Sequence, residues 1–210
     1  NNTASRLGGG ISVCCGGRVA MEGGKLSGNV AAYQGGALHS QDRDSWFSLI
    51  SLELAANSAQ ARNGVQGRRL ATTDTGDAGG GVGGGALYNE GEGYIGNLSF
   101  VGNSAPLGSG SSWYNGGEMY FLMPAPLGYY VAGTFVCQRL DCVDASGAVS
   151  PCPVQSCNYT VYAGRTMARV LQGSFNGGFP PACGRGAFGN SSRPADQASP
   201  YCSGSCPPSS

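Results

Sequence analysis

Long apolar runs are missing from this 210-residue sequence. None approaches the roughly 18–20 residues that span a bilayer as a helix, so direct membrane insertion is not expected. Charge is scarce too: Asp, Glu, Lys and Arg make up 11% of the chain, against about 25% in ordinary soluble domains. The 12 basic and 12 acidic side chains cancel. With no basic stripe of the kind a phosphate backbone requires, nucleic acid is not an expected partner. There is one histidine and no Cys-x2-Cys pair, so the cysteines do not read as a zinc site and neither metal nor cofactor is expected. The amino terminus, Asn1-Asn2-Thr3, has neither an initiator methionine nor a signal peptide, which leads us to expect a processed chain or a fragment. A lone globule with so little charge is poorly protected against self-association. The expectation is a surface covered by glycan or by neighbouring subunits.

What is present is glycine, 38 residues of it, and nine cysteines. The glycines weaken helices and fall into a repeated phrase: an apolar residue three positions before an Asn, then a Gly-Gly-x-aliphatic step. In register the copies are Asn2 with Gly8-Gly9-Gly10-Ile11; Leu26 and Asn29 with Gly35-Gly36-Ala37-Leu38; Leu54 and Asn57 with Gly84-Gly85-Ala86-Leu87; and Phe100 and Asn103 with the degenerate Ser109-Gly110-Ser111-Ser112. The Asn-to-Asn steps are 27, 28 and 46 residues, and the last falls to 25 once a 21-residue insertion at about 61–81 is set aside. Each repeat is too short to bury an apolar face alone, so copies must stack to share one interior. Leu52 and Leu98 precede Leu54 and Phe100 by two positions, which puts each pair on one face of a strand and turns Ser99 and Asn97 outward. Stacking at about 4.8 Å would line Asn2, Asn29, Asn57 and Asn103 into an inward ladder of amides. Glycines after each Asn allow corners with positive φ.

Gly36-Ala37-Leu38 and Gly85-Ala86-Leu87, with Phe100-Val101-Gly102-Asn103, resemble the Gly-Gly-Ala-aliphatic and Phe-x-x-Asn repeats of the polymorphic outer-membrane protein type, found also in large surface proteins of algae and other protists. The resemblance covers about half the chain and implies a right-handed parallel β-helix of about four coils. The fourth copy, with Ser111-Ser112 in place of Ala-Leu, suggests that the solenoid ends there. This gives an all-β fold with a repeat domain at 1–117 and a disulfide-rich, loop-rich module at 118–210. The insertion, which holds Arg62, Arg68, Arg69, Asp74 and Asp77, reads as a projecting solvated loop or a partner contact.

Composition changes at Met123-Pro124-Ala125-Pro126, after which come Cys137, Cys142, Cys152, Cys157, Cys183, Cys202 and Cys206. Disulfides made in an oxidising, extracellular space are expected. Seven is odd. Either a bond reaches back to Cys14 or Cys15, which would point to opposite faces in a strand, or a cysteine pairs with another chain; the plainer alternative leaves Cys14 and Cys15 as one buried and one surface thiol. Pro124-Ala125-Pro126-Leu127-Gly128-Tyr129-Tyr130, the run 182–190 and the run 201–208 resemble the cysteine-rich modules beside β-helix repeats in algal and protist surface proteins, and are loosely similar to ephrin-receptor-like Cys-Pro-x-Gly-x-aromatic repeats. That resemblance implies an extracellular, non-catalytic spacer or cap. Met123 stands where such modules open with cysteine.

Asn-x-Ser/Thr sequons at Asn1, Asn97, Asn158 and Asn190 are candidate glycosylation sites, with Asn97 favoured because parity turns it outward. The acidic run His39-Ser40-Gln41-Asp42-Arg43-Asp44 beside Trp46 and Phe47 reads as a solvated corner. A His39, Ser40, Asp42 triad is disfavoured because adjacent strand residues diverge and no nucleophile elbow is present. Gly79 to Gly85 carry no Lys-Ser or Lys-Thr and so are no phosphate loop. Tyr33, Trp46, Tyr88, Trp113 and Tyr114 either cover a flank or stack on sugars. The expected role is non-enzymatic: a structural subunit of an extracellular glycosylated filament or appendage, partnered by copies of itself, by covalent glycans and by extracellular polysaccharide. The alternatives are a monomeric adhesin or glycan-binding ectodomain fragment and, third, a polysaccharide lyase or hydrolase.

Overall fold

The computed structural model describes residues 1–60, 83–106, 110–131, 133–135, 141–143, 149–151, 167–177, 179–185, 187, 197 and 202, those from 133 to 151 by their backbone alone. Regular structure among them is all β. The strands fall into tiers of similar make-up. The first holds β1 (Thr3–Ala4), β2 (Ile11–Val13), β3 (Arg18–Glu22) and β4 (Lys25–Ser27). The second holds β5 (Val30–Ala31), β6 (Leu38–Ser40), β7 (Trp46–Ile50) and β8 (Glu53–Ala55). The third holds β9 (Ser58–Ala59), β10 (Leu87–Asn89), β11 (Glu92–Gly96) and β12 (Ser99–Val101), and the fourth β13 (Trp113–Asn115) and β14 (Glu118–Leu122). After these come β15 (Gly133–Phe135), the antiparallel pair β16 (Asp141–Val143) and β17 (Val149–Pro151), β18 (Met167–Val170) and β19 (Gly173–Phe175).

Among the described residues every strand pairing between these four tiers is parallel. Thr3 pairs with Val30 and Val30 with Ser58. Ile11, Leu38, Leu87 and Trp113 share one register, as do Arg18, Trp46, Glu92 and Glu118. Lys25, Glu53 and Ser99 share another. The chain thus visits the four sheets in the same order in each of the first three tiers.

Sequence explains the short strands, because left-handed corners interrupt them at equivalent positions. Gly8, Gly35, Gly84 and Gly110 have φ of 61°, 64°, 62° and 74°, each three residues before the strand that begins at Ile11, Leu38, Leu87 or Trp113. A second corner stands just before Asn29, Asn57 and Asn103, at Gly28, Ala56 and Gly102 (φ 64°, 51° and 61°). A third is formed by Gly23, Ser51 and Asn97 (φ 71°, 55° and 49°), two of which bear side chains in a region that costs them roughly 1–2 kcal/mol.

Alternation does the rest. Phe47, Leu49, Ile95, Met119 and Phe121 point inward and are fully buried, and Leu38, Leu54, Leu87 and Trp113 join them in one continuous apolar cluster. Leu52 and Leu98 are buried while Asn97 and Ser99 are exposed, as their parity requires. Gly93 occupies an inward position because the Phe47 ring fills the space its Cβ would need.

Two expectations need correction. The fourth Gly-Gly-x-aliphatic copy lies one residue later than the sequence suggested: Gly110-Ser111-Ser112-Trp113 falls in register with Gly84-Gly85-Ala86-Leu87. The aromatic ring replaces an aliphatic one because its next neighbour is Phe175, stacked at 4.1 Å, with Phe179 edge-on at 5.0 Å. Nor does the parallel pairing stop at Ser111-Ser112. It continues through β14, past residue 117, and then changes sense: β18 pairs antiparallel with β14, and β19 with β13.

Residues on both sides of 117 therefore share one interior. Met123, Ala125, Val131, Ala168, Val170 and Phe179 belong to the same cluster as Leu54. The Gln197 side chain completes this closure by accepting from the Ala125 N–H at 2.9 Å and donating to the Ala125 carbonyl at 2.8 Å, as a strand would. The insertion at 61–81 lies outside the described residues.

Gly85 tests the stacking. A Cβ there would run into the Ser111 carbonyl and the Ser104 backbone. Gly85→Ala should cost about 1–3 kcal/mol through overpacking. Ser111→Ala, at the equivalent site of the last parallel tier, should cost under about 1 kcal/mol. Urea midpoints at unchanged slope would measure both.

Candidate functional site

Inside the stack the repeated asparagines bond in sequence. The Asn2 N–H and side-chain amide both donate to Asn29 Oδ1, at 3.1 and 3.2 Å. Asn29 donates in the same two ways to Asn57 Oδ1 at 3.1 and 2.9 Å, and Asn57 to Asn103 Oδ1 at 3.0 Å each. Further side-chain donations run from Asn57 to the Leu26 carbonyl and from Asn103 to that of Leu54. Asn29 and Asn57 are 3% and 0% exposed, so these bonds replace water entirely. Asn103 is half-buried, and Asn2, on the first tier, is exposed.

A second amide ladder, which sequence reading missed, stands at another corner. Asn89 donates to Asn115 Oδ1 at 2.9 Å and to the Glu118 carbonyl at 3.1 Å, and accepts from the Gly91 N–H at 3.0 Å. Asn115 passes the chain on to the Leu171 carbonyl at 3.2 Å. The signal was available in Leu87-Tyr88-Asn89 and Trp113-Tyr114-Asn115, which repeat 26 residues apart.

That corner gathers most of the reactive side chains. It joins β2 to β3, β6 to β7, β10 to β11 and β13 to β14, and spans four and five residues in the first two tiers, Cys14–Gly17 and Gln41–Ser45, but two in the others, Glu90–Gly91 and Gly116–Gly117. Above it lies a groove of about 290 Å³ lined by Arg43, Glu90, Glu92, Glu118, Arg169 and Gln172 together with glycine backbone. Its carboxylates are held in place. Glu90 accepts from the Tyr88 hydroxyl at 3.0 Å, Glu92 from Tyr94 at 2.5 Å, and Glu118 from Tyr120 at 3.0 Å and from Arg169 at 3.2 Å. Burial, then the nearby Glu90 charge, pushes the Tyr88 phenol far above its ordinary value. Burial and Glu118 raise Tyr120 as well. These phenols are therefore fixed donors at neutral pH and anchor the glutamates.

The disfavoured triad of His39, Ser40 and Asp42 is not assembled. His39 and Ser40 belong to β6 and are 1% and 0% exposed, so neither lies in a solvated turn. His39 Nε2 bonds Gln34 Oε1 at 3.0 Å, and its ring stacks on Tyr88. Asp42 instead accepts from the Cys15 N–H at 2.5 Å and from Ser45 Oγ at 2.8 Å. The Cys15 N–H, foremost, holds the Asp42 carboxyl below its usual value. Because that pKa is depressed by folding, its contribution to stability is present above the unfolded carboxyl value and is lost as pH falls through the folded one.

Of the aromatics singled out, Trp46, Tyr88, Trp113 and Tyr114 pack against other rings. Tyr88 lies between His39 and Tyr114, and Tyr94 lies between Trp46 and Tyr120. Trp113 is fully buried, and Tyr33 is half-buried.

Of the sequons, Asn1 and Asn97 are exposed, and Asn97 sits on a left-handed corner with its amide donating to Ser51 Oγ at 3.2 Å. Asn158 and Asn190 lie outside the described residues, as do Cys137, Cys152, Cys157 and Cys206, while Cys142 is described by its backbone alone, in β16. Cys183 and Cys202 form a disulfide. Cys14 and Cys15 are both free and exposed, which corrects the expectation of opposite faces and of one buried thiol. They follow β2 rather than extend it, and Cys15 has φ 59°.

Comparison with family models, with curated proteins and with solved structures finds no match to this chain.

Truncating the ladder at its centre should be expensive. Asn57→Ala strands the buried backbone N–H and side-chain amide of Asn29, at roughly 1–3 kcal/mol each, for a total of about 3 kcal/mol. Asn2→Ala, at the exposed end, should cost under about 1 kcal/mol. Chemical denaturation of the two variants provides the comparison.

Proposed function

We propose that this chain is a right-handed parallel β-helix acting as a non-catalytic structural subunit of an extracellular, glycosylated surface filament or appendage that joins its neighbours end to end. The observation that supports this reading is the uncovered face of the first tier, which a further tier, from the same chain or from another copy, would bury. Ile11, Val19, Met21 and Leu26 are only half-buried there, whereas Leu38, Phe47, Leu49 and Leu54, one tier on in the same registers, are fully buried. Among the described residues each of β1 to β4 has a strand partner on one side alone. A parallel tier from another copy would complete both the hydrogen bonding and the apolar contacts, the interaction that unpaired edges invite. At the other end β12, β15 and β19 are, among the described residues, the last strands of their sheets and offer edges in turn.

The helical handedness and solenoid class rest on the likeness of the Gly-Gly-Ala-aliphatic and Phe-x-x-Asn repeats to those of algal and protist surface proteins, together with the constant order in which the chain visits its sheets. The extracellular assignment is supported by the Cys183–Cys202 bond and by the exposed Asn97 sequon, whose Ser99 is exposed as well.

A second reading, a glycan-binding adhesin, is favoured by the polar groove at the corner, where Arg43, Arg169 and Gln172 offer donors beside anchored glutamates. Extracellular polysaccharide is the ligand class that it would take.

Electron microscopy of native material should show rods lengthened by whole subunits. Met21→Lys, which places a charge on the open end, should leave folded monomers by circular dichroism and size-exclusion chromatography. Discrete wild-type monomers under native conditions would remove the filament reading and leave the adhesin. Secreted chain carrying Asn97→Gln should lose the mass of one glycan; an unchanged mass would show that Asn97 is unmodified.

A further inference from the structure

Cys14 and Cys15 lie at the same corner as the polar groove, on the open tier, and the structural reading leaves them without a role. Adjacent cysteines in an extended strand point apart. Here the chain leaves β2 at Val13 and turns at once. The Gly17 N–H donates to the Cys14 carbonyl at 2.8 Å, and the two residues between them, Cys15 and Gly16, both have positive φ, 59° and 73°. That combination marks a type I′ turn. The turn rotates both side chains to the solvent side and leaves the sulfurs 3.0 Å apart.

The next tier secures the turn. Asp42 accepts from the Cys15 N–H and is itself gripped by the Ser45 hydroxyl. A non-glycine residue held left-handed in this way is strain that the surroundings maintain, and here it brings the two thiols together.

We propose that Cys14 and Cys15 form a redox-active vicinal dithiol that closes to a disulfide between neighbouring residues, with a small-molecule disulfide of the glutathione type as the oxidant. The sequence starts at Cys15, a central residue of the exposed turn; the contact with Cys15, then burial and the Asp42 charge, holds the Cys14 thiol above its usual value. The Cys15 thiol gives up its proton and its sulfur attacks the oxidant. The disulfide bond of the oxidant breaks and one reduced thiol leaves with a proton, giving a mixed disulfide on Cys15. Cys14 then loses its proton and attacks Cys15 Sγ. The Cys14–Cys15 bond forms and the second reduced thiol departs. Two protein thiols lose two electrons, one external disulfide gains them, and every proton ends on a released thiol.

The ring also settles a count. Nine cysteines less this pair and less Cys183–Cys202 leave Cys137, Cys142, Cys152, Cys157 and Cys206. Five is odd, so the cysteine that remains a thiol or bonds another chain belongs to that group and not to the amino-terminal repeats.

Trypsin isolates the site, because cleavage after Arg6 and Arg18 releases residues 7–18, whose cysteines are Cys14 and Cys15 alone. The full chain, incubated with glutathione disulfide and digested at acidic pH, should yield this peptide lighter by two hydrogens. It should take no iodoacetamide before reduction and two alkyl groups after it. The Cys14→Ser chain, unable to close the ring, should carry one glutathionyl group on Cys15. Two alkyl groups on the unreduced wild-type peptide, or its recovery joined to another cysteine peptide, would overturn the proposal. A Cys14→Ser chain that captures no glutathione would contradict the route through Cys15.

Discussion

Everything in this molecule depends on one amide chain. Asn29 and Asn57 are buried where water cannot reach them, and each has its side-chain oxygen and its N–H groups satisfied by the tier above or below. A buried amide without such partners would be destabilising by itself. In partnership, the amides fix register, because a slip of one residue would expel every amide from the line and turn each inward leucine to solvent. The left-handed residue before each Asn and the glycine pair after it are the backbone conditions for that alignment.

Above this constant frame, one corner varies. Its inner wall is the Asn89–Asn115 ladder, and its outer surface changes from a cysteine turn to an acidic turn and then to glycine. The stack therefore separates two tasks. Repeated interior contacts supply rigidity, and the corner displays side chains held by a neighbouring tier: the glutamates by tyrosine hydroxyls, and the Cys15 backbone by Asp42. The two ends differ in turn. The first tier is an interior cut open, whereas β18 and β19 run antiparallel over the fourth and bring in Phe175 and Phe179 to cover Trp113.

Much of this was legible in the sequence. The Asn spacing, the glycine pairs and the parity of Leu52, Leu54 and Leu98 carried the tiers and the inward ladder, since those features follow from local geometry. Reading failed where tertiary contacts overrode the pattern. Trp113 was missed as the fourth aliphatic equivalent because only the stacked Phe175 makes a ring fit there. The closing strands had no repeat to announce them. The paired thiols escaped notice because strand parity assigns neighbours to opposite faces, and a turn at Cys15–Gly16 cancels that rule. The buried state of His39 depended on its Gln34 bond and Tyr88 stack, neither of which adjacent residues disclose.

The fold stands or falls on the alignment of its amides. An experimental density map of the native chain, at a resolution that places side chains, should show Asn29, Asn57 and Asn103 in file within the core, with successive tiers spaced by about 4.8 Å. A map with those side chains scattered, or turned to solvent, would contradict it.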